Sequence, residues 1–179
     1  MAIVATDILF KFSVKTGTAG NQTVGTAAGS LGKYISTTEI TDATLNNLFD
    51  DVSGDDNAAS DVEYRCIFVH NNHGTLTWQA PSLWINAETA GGANIAIAVD
   101  DLAASLIGQV TAQADEVVAE DAAPTGETFT SPTTKGGGIA MSDIAAGECR
   151  AIWVRRTTAN TTALDNDDVT LKIEGDTAA

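Results

Sequence analysis

Residues 62–70, Val-Glu-Tyr-Arg-Cys-Ile-Phe-Val-His, carry large side chains at odd and even positions alike. Successive side chains of an extended chain point to opposite faces, so a strand built from this run must be covered on both. That places it at the centre of a sheet. It also requires the remaining runs of large residues to supply the neighbours and the covers.

Those runs are short and strand-like. Ile8, Phe10, Phe12 and Val14 alternate with mainly polar neighbours across residues 7–15, the pattern of a half-buried strand. Tyr34, Ile35 and Ile40 mark a short strand over 34–40. Trp78, Leu83, Trp84 and Ile85 mark another over 76–86, where Pro81 implies an edge or a bulge. Ile95, Ile97 and Val99 mark 94–100. Ile152, Trp153 and Val154 mark 149–156, and Val169, Leu171 and Ile173 mark 168–174. Asn71-Asn72-His73-Gly74 reads as a tight hairpin turn. One helix is expected from Thr41 or Asp42 as N-cap, with Leu45, Leu48, Phe49 and Val52 at helical spacing and Gly54 as its end.

About seven short strands and one helix predict an all-β fold. The expectation is an antiparallel β-sandwich, immunoglobulin-like or jelly-roll-like, with long extended loops or arms. The 179 residues suffice for a single domain. Two stretches lack an apolar period. Residues 16–33 read as an extended loop or arm ordered by a partner. Residues 101–147 read as a loop-like or arm-like insertion, with brief strands at Leu106–Val110 and Val117–Val118 and a flexible joint at Gly136–Gly138.

Charge narrows the function. The net charge of −15 is the wrong sign for phosphate contacts or an anionic membrane surface, so neither nucleic acid nor membrane is an expected partner. Asp7 and Lys11 interrupt the first apolar run and no basic segment precedes it. No secretory signal or membrane span is therefore expected, and synthesis in a bacterial cytoplasm is.

Candidate chemistry is thin. His70 and His73 flank the proposed turn without a third ligand, and turn histidines are commonly plain surface residues. Cys66 and Cys149 enclose Trp78 and Trp84 in a Cys–Trp–Cys order, but lie further apart than in immunoglobulin domains. Two buried free thiols are the better reading. The acids of 50–57 and of 165–168 miss the spacing of a calcium loop and read as solvated acidic segments. No nucleophile elbow, phosphate loop, dinucleotide fingerprint or zinc-protease motif occurs. The expectation is a non-enzyme with no catalytic residue, no cofactor and no metal. A carboxylate-only glycosidase is the residual enzymatic option. The candidate partner contacts are Arg155 and Arg156, on alternating faces of their strand, together with Trp78 and Trp84. An ordinary strand-end pair is the plainer reading of the arginines.

Four stretches resemble small structural proteins of tailed-bacteriophage virions. They are residues 46–54 (Asn-Asn-Leu-Phe-Asp-Asp-Val-Ser-Gly), 63–71 (Glu-Tyr-Arg-Cys-Ile-Phe-Val-His-Asn), 151–157 (Ala-Ile-Trp-Val-Arg-Arg-Thr) and 171–177 (Leu-Lys-Ile-Glu-Gly-Asp-Thr). The resemblance implies a virion component, homo-oligomeric with a trimer as one option. Its partners would be the major capsid protein or other virion proteins. Within that family the acidic balance favours a decoration (cement) protein on the outer capsid surface over a tail, neck or baseplate subunit. A receptor- or carbohydrate-binding module is the further alternative, and it requires exposed tryptophans.

Overall fold

A computed structural model describes residues 2–18, 23–159, 161–162, 164 and 167–177. The elements are β1 (Ile8–Val14), β2 (Tyr34–Glu39), α1 (Gly54–Ala59), β3 (Val62–Asn71), β4 (Trp78–Glu88), β5 (Asn94–Val99), β6 (Ser105–Leu106), β7 (Ile139–Ala140), β8 (Glu148–Thr157) and β9 (Val169–Thr177). They form two antiparallel sheets. The larger runs β2-β1-β3-β8-β5, with β6 also on β8; the smaller runs β7-β4-β9.

The run with large residues on both faces lies at the centre of the larger sheet. β3 pairs β1 on one side and β8 on the other, with Ile67 opposite Ile152 and Cys66 opposite Trp153. One face of these two strands supplies Ile67, Val69, Ile152 and Val154. They pack with Ile97 of β5, Leu83 and Ile85 of β4, and Ile144 in a cluster shared by the two sheets. The opposite face supplies Cys66, Phe68, Cys149, Ala151 and Trp153 to a second cluster with Ile35, Ala114 and Val117. Full burial of a side chain such as Phe68, Leu83 or Ile97 contributes about 1.5–3 kcal/mol.

The cover of that second face comes from the stretch without a pattern. Val117 N–H donates to Leu31 O at 3.1 Å, Gln113 N–H to Lys33 O at 2.7 Å, and Tyr64 N–H to Glu120 O at 2.7 Å. Thr130 and Ile97 exchange two backbone hydrogen bonds, which cap the free edge of β5. Arg65, buried in β3, reaches Glu120 at 2.5 Å. Residues 101–131 thus take their order from another part of the chain, which is why they carry no period of their own. The brief strands expected there reduce to Ser105–Leu106 and a single bridge between Gly32 and Glu116. Gly136–Gly138 is a turn seated on β4 rather than a loose joint. A Cβ at Gly138 would meet Leu83 O at 2.9 Å, so the backbone needs the bare glycine to approach.

The expected helix is displaced. Residues 41–53 are irregular, and the helix begins at Gly54, the residue expected to end it. Local polar side chains compete with helical hydrogen bonding in the first stretch: Asp42 Oδ1 accepts from Ala43 N, and Asn47 Nδ2 donates to Thr41 O. Ala43 and Asn46 sit at positive φ, 52° and 55°. At Ser53 a reciprocal capping box forms instead, with Asp56 N donating to Ser53 Oγ and Ser53 N to Asp56 Oδ2.

The turn at 71–74 also differs from expectation. Asn71 still belongs to β3, and β3 and β4 lie in different sheets. The connection crosses between sheets instead of closing a hairpin. Buried Asn71 holds it: Nδ2 donates to Leu76 O at 2.8 Å and Ile144 O at 2.9 Å, and Oδ1 accepts from His73 N at 3.1 Å. Pro81 does mark a bulge, with the β4–β9 register slipping between Gln79 and Ser82.

Candidate functional site

The four residues expected as partner contacts are tied into the chain. Trp78 and Trp84 are each 5% exposed. Trp78 belongs to the cluster shared by the sheets, and the Lys172 ammonium lies 5.5 Å from the Trp84 ring. Arg156 points to the same side as Val154. It ion-pairs with Glu63, donates Nη1 to Asp50 O at 2.6 Å, and stacks 4.7 Å from the Phe49 ring. Arg155, on the other face, lies 5.3 Å from the Phe129 ring, which meets Tyr64 edge-on at 5.4 Å. One arginine therefore fixes the irregular 41–53 segment, and the other fixes the cover.

His73 is a turn residue whose Nδ1 accepts from Thr75 N at 3.1 Å and Leu76 N at 3.0 Å. His70 lies inside, on β3 between Leu9 and Cys149, and neither of its ring nitrogens has a hydrogen-bond partner. Burial, aided by the Lys11 charge, brings its pKa down to about 4. Cys66 and Cys149 are free and buried. Cys149 faces His70 and Cys66 faces Trp153, which places the two cysteines four ladder positions apart, about 13 Å at the rise of a strand and too far for a disulfide. Burial pushes the Cys66 thiol up, and the Cys149 thiol up to about 12.

The acids of 50–57 serve separate local partners. Asp50 takes Arg156 and Asp56 takes the Ser53 cap. In the second acidic segment, Asp165 and Asn166 lie outside the described residues. Asp167 Oδ2 accepts from Ala93 N at 2.6 Å, and Asp168 bonds Thr89.

Titratable groups converge elsewhere. Asp100, Asp101 and Glu127 bring carboxylate oxygens within 4.8 Å of one another, the one such set of three His, Cys, Asp or Glu side chains among the described residues. Asp100 directly follows β5 and is fully buried. Its Oδ2 accepts from Trp153 Nε1 at 2.8 Å and Asp115 N at 2.9 Å, and its Oδ1 from Leu102 N at 3.0 Å. Glu127 arrives from the far end of the cover, after Gly126 at φ 96°. Both its oxygens are sealed from solvent, and the backbone N–H groups of Glu127 itself and of Asp101 are the donors that act on them. Burial first, with the charges of Asp100 and Asp115 adding, brings its pKa up to about 7.

The chain matches no known protein family, no curated protein and no solved structure. What it does must therefore be read from its own geometry.

The acidic set was not legible in the sequence. Asp100 and Asp101 end the β5 alternation as ordinary strand-end acids, and Glu127 stands 26 positions beyond Asp101 in unpatterned chain. A second feature of the cover is just as local. Val110 and Val118 are 73% and 85% exposed, and Leu106 and Ile107 are exposed as well. The segment that seals the sheet with Ala114 and Val117 thus turns other apolar side chains outward.

Proposed function

We propose that this protein is a non-enzymatic structural component of a tailed-bacteriophage particle, and that it decorates the outer surface of the capsid shell. We read its two sheets as the layers of a β-sandwich of the immunoglobulin or jelly-roll kind. The observation that carries the proposal is the outward display of Leu106, Ile107, Val110 and Val118 on a protein of net charge −15. Apolar side chains presented from an acidic surface suit docking on another protein and ill suit a polyanion. The resemblance of residues 46–54, 63–71, 151–157 and 171–177 to virion structural proteins supplies the kind of partner, a major capsid protein or another virion subunit. Repetition on a symmetric shell would multiply a small contact.

A tail, neck or baseplate subunit accounts for the same observations except the acidic balance, which favours the shell exterior. A carbohydrate-binding module is less favoured, because Trp78 and Trp84 are buried and offer no open ring face to a sugar. Mass spectrometry and cryo-electron microscopy of purified particles test the proposal. The chain is expected in intact virions at a regular external position, and Val110→Asp with Val118→Asp should reduce its incorporation. Recovery of the chain only from infected-cell lysate, never from particles, refutes it.

A further inference from the structure

We propose that β9 is an interface at which a second copy of this chain adds its own β9, antiparallel and two-fold symmetric, so that the smaller sheets of two copies join into one. β9 ends the smaller sheet. It pairs β4 on one side, and among the described residues no backbone group bonds its other side. The direction of its free groups follows from β4. Ile85 N–H donates to Pro132 O and Met141 N–H to Pro81 O, both on the side away from β9, so Ser82 and Trp84 are the residues that turn their backbone groups to β9. Their partners Glu174 and Lys172 spend theirs on β4. By alternation, Leu171, Ile173 and Gly175 direct theirs outward.

An open edge is a template for another strand, and proteins commonly blunt one with a proline, a bulge or an unmatched charge. Residues 169–177 hold no proline, and the extra residues of both register shifts fall on β4, which leaves β9 itself regular. Its charges are matched by a copy of itself. With Ile173 opposite its own counterpart, every outward-directed residue meets another: Leu171 faces Gly175 of the second copy, and Gly175 faces Leu171. Lys172 then stands opposite Glu174 of the second copy in the closely spaced pairs, twice by symmetry. Moving the centre by one residue sets Lys172 against Lys172 or Glu174 against Glu174. Moving it by two sets Glu174 against Asp168 or Asp176. Charge therefore selects one register.

The apolar face fits the same register. Leu171 and Ile173 pack toward the cluster shared by the sheets but are only half-buried, and an apolar groove runs between them and Ile3, Ile8 and Phe10. Gly175 carries no side chain, so Leu171 of the second copy finds room opposite it, over this groove. On the other face Lys172 and Glu174, 2.7 Å apart within one copy, meet their counterparts in a square of alternating charge. The interface lies on the smaller sheet, whereas Leu106, Ile107, Val110 and Val118 are displayed from β6 and the cover of the larger one. The dimer thus stands independently of the docking role proposed above.

The test uses the purified full chain at physiological salt. Sedimentation equilibrium should show a concentration-dependent dimer, and the amides of Leu171, Ile173 and Gly175 should exchange more slowly in the dimer than in dilute solution. Lys172→Glu and Glu174→Lys should each weaken dimerisation at least about tenfold, because each change acts at both facing pairs. Both sites are exposed, so each variant should keep the fold, checked by circular dichroism and by Tm in dilute solution. Glu174→Lys also lowers the negative charge of the chain, so general repulsion between copies predicts the opposite change. Mixing the two variants should restore a dimer containing one of each, since the reversed charges then face their opposites. The proposal is overturned if the parent stays monomeric at millimolar concentration, which would leave the edge to a strand of a different protein. It is equally overturned if a dimer forms that neither variant weakens, which would place the contact on another surface.

Discussion

Acidification should destabilise the protein through His70, and the size of the effect follows from its position. The side chain is 2% exposed and neither ring nitrogen has a hydrogen-bond partner, so the imidazole is accommodated only as the neutral species. Its pKa is lowered to about 4 in the folded chain, against about 6.5 unfolded. Between these values the unfolded chain takes up the proton and the folded chain does not. The His70 contribution to stability is therefore intact above about pH 6.5 and falls as pH drops toward 4. The loss is about 2 kcal/mol at pH 5 and about 3 kcal/mol at pH 4, a large share of the 5–15 kcal/mol typical of a domain. Other groups titrate in the same range: Asp56, Glu116 and Glu174, held below their ordinary range by hydrogen bonds, lose stability in acid, while Glu127, brought up to about 7 by burial, and Glu63 and Asp100, also raised by burial, gain it. Comparison with His70→Leu removes these shared contributions. Urea unfolding at pH 7.5, 6, 5 and 4.5 should show the parent losing about 2–2.5 kcal/mol more than the variant across the series. At pH 7.5 the variant should be at least as stable, having shed two unpaired buried nitrogens. Parallel loss in the two proteins would refute the assignment, as would an imidazole NMR titration midpoint near 6.5.

Three further outcomes follow from the packing. Arg156→Met leaves Glu63 buried without its guanidinium and should cost about 3–5 kcal/mol in urea unfolding, most of it recovered by adding Glu63→Leu. Val117→Ala, at a position 4% exposed beneath the cover, should cost about 1.5 kcal/mol and speed amide exchange in the cover, while Val118→Ala next to it should stay within about 0.5 kcal/mol. Cys66 and Cys149 should resist a thiol reagent in the folded protein, with Cys149 slowed about a thousandfold or more by its raised pKa and burial, and both should react in urea without prior reduction.

Much of the framework was legible because a strand has a period that sequence displays. β1, β3, β5, β8 and β9 lie where alternation or two-sided burial put them, and Pro81 marked its bulge. The helix was misplaced because the apolar spacing of Leu45, Leu48, Phe49 and Val52 is a helical signal whatever the backbone does. Asp42, Asn46 and Asn47 favour turns, and Phe49 found its place under two arginines, Arg65 of β3 and Arg156 of β8, instead. The hairpin at 71–74 failed for a different reason. Turn residues show that a chain changes direction, but not whether it returns to the same sheet.

By itself the sequence determined that this chain is built of strands, that the 62–70 run is covered on both faces, and that its surface is strongly acidic. Each of these follows from local side-chain order or from a sum over residues. Only the tertiary structure decided what covers the second face, where Arg155 and Arg156 are spent, and which acids meet. Residues 101–131 have no period because their hydrogen bonds run to β3, β5 and the 30–33 segment, so their order is a property of contacts between distant parts of the chain. Asp100, Asp101 and Glu127 meet for the same reason: the excursion between them closes back on the end of β5, where Asp100 meets the tryptophan of β8.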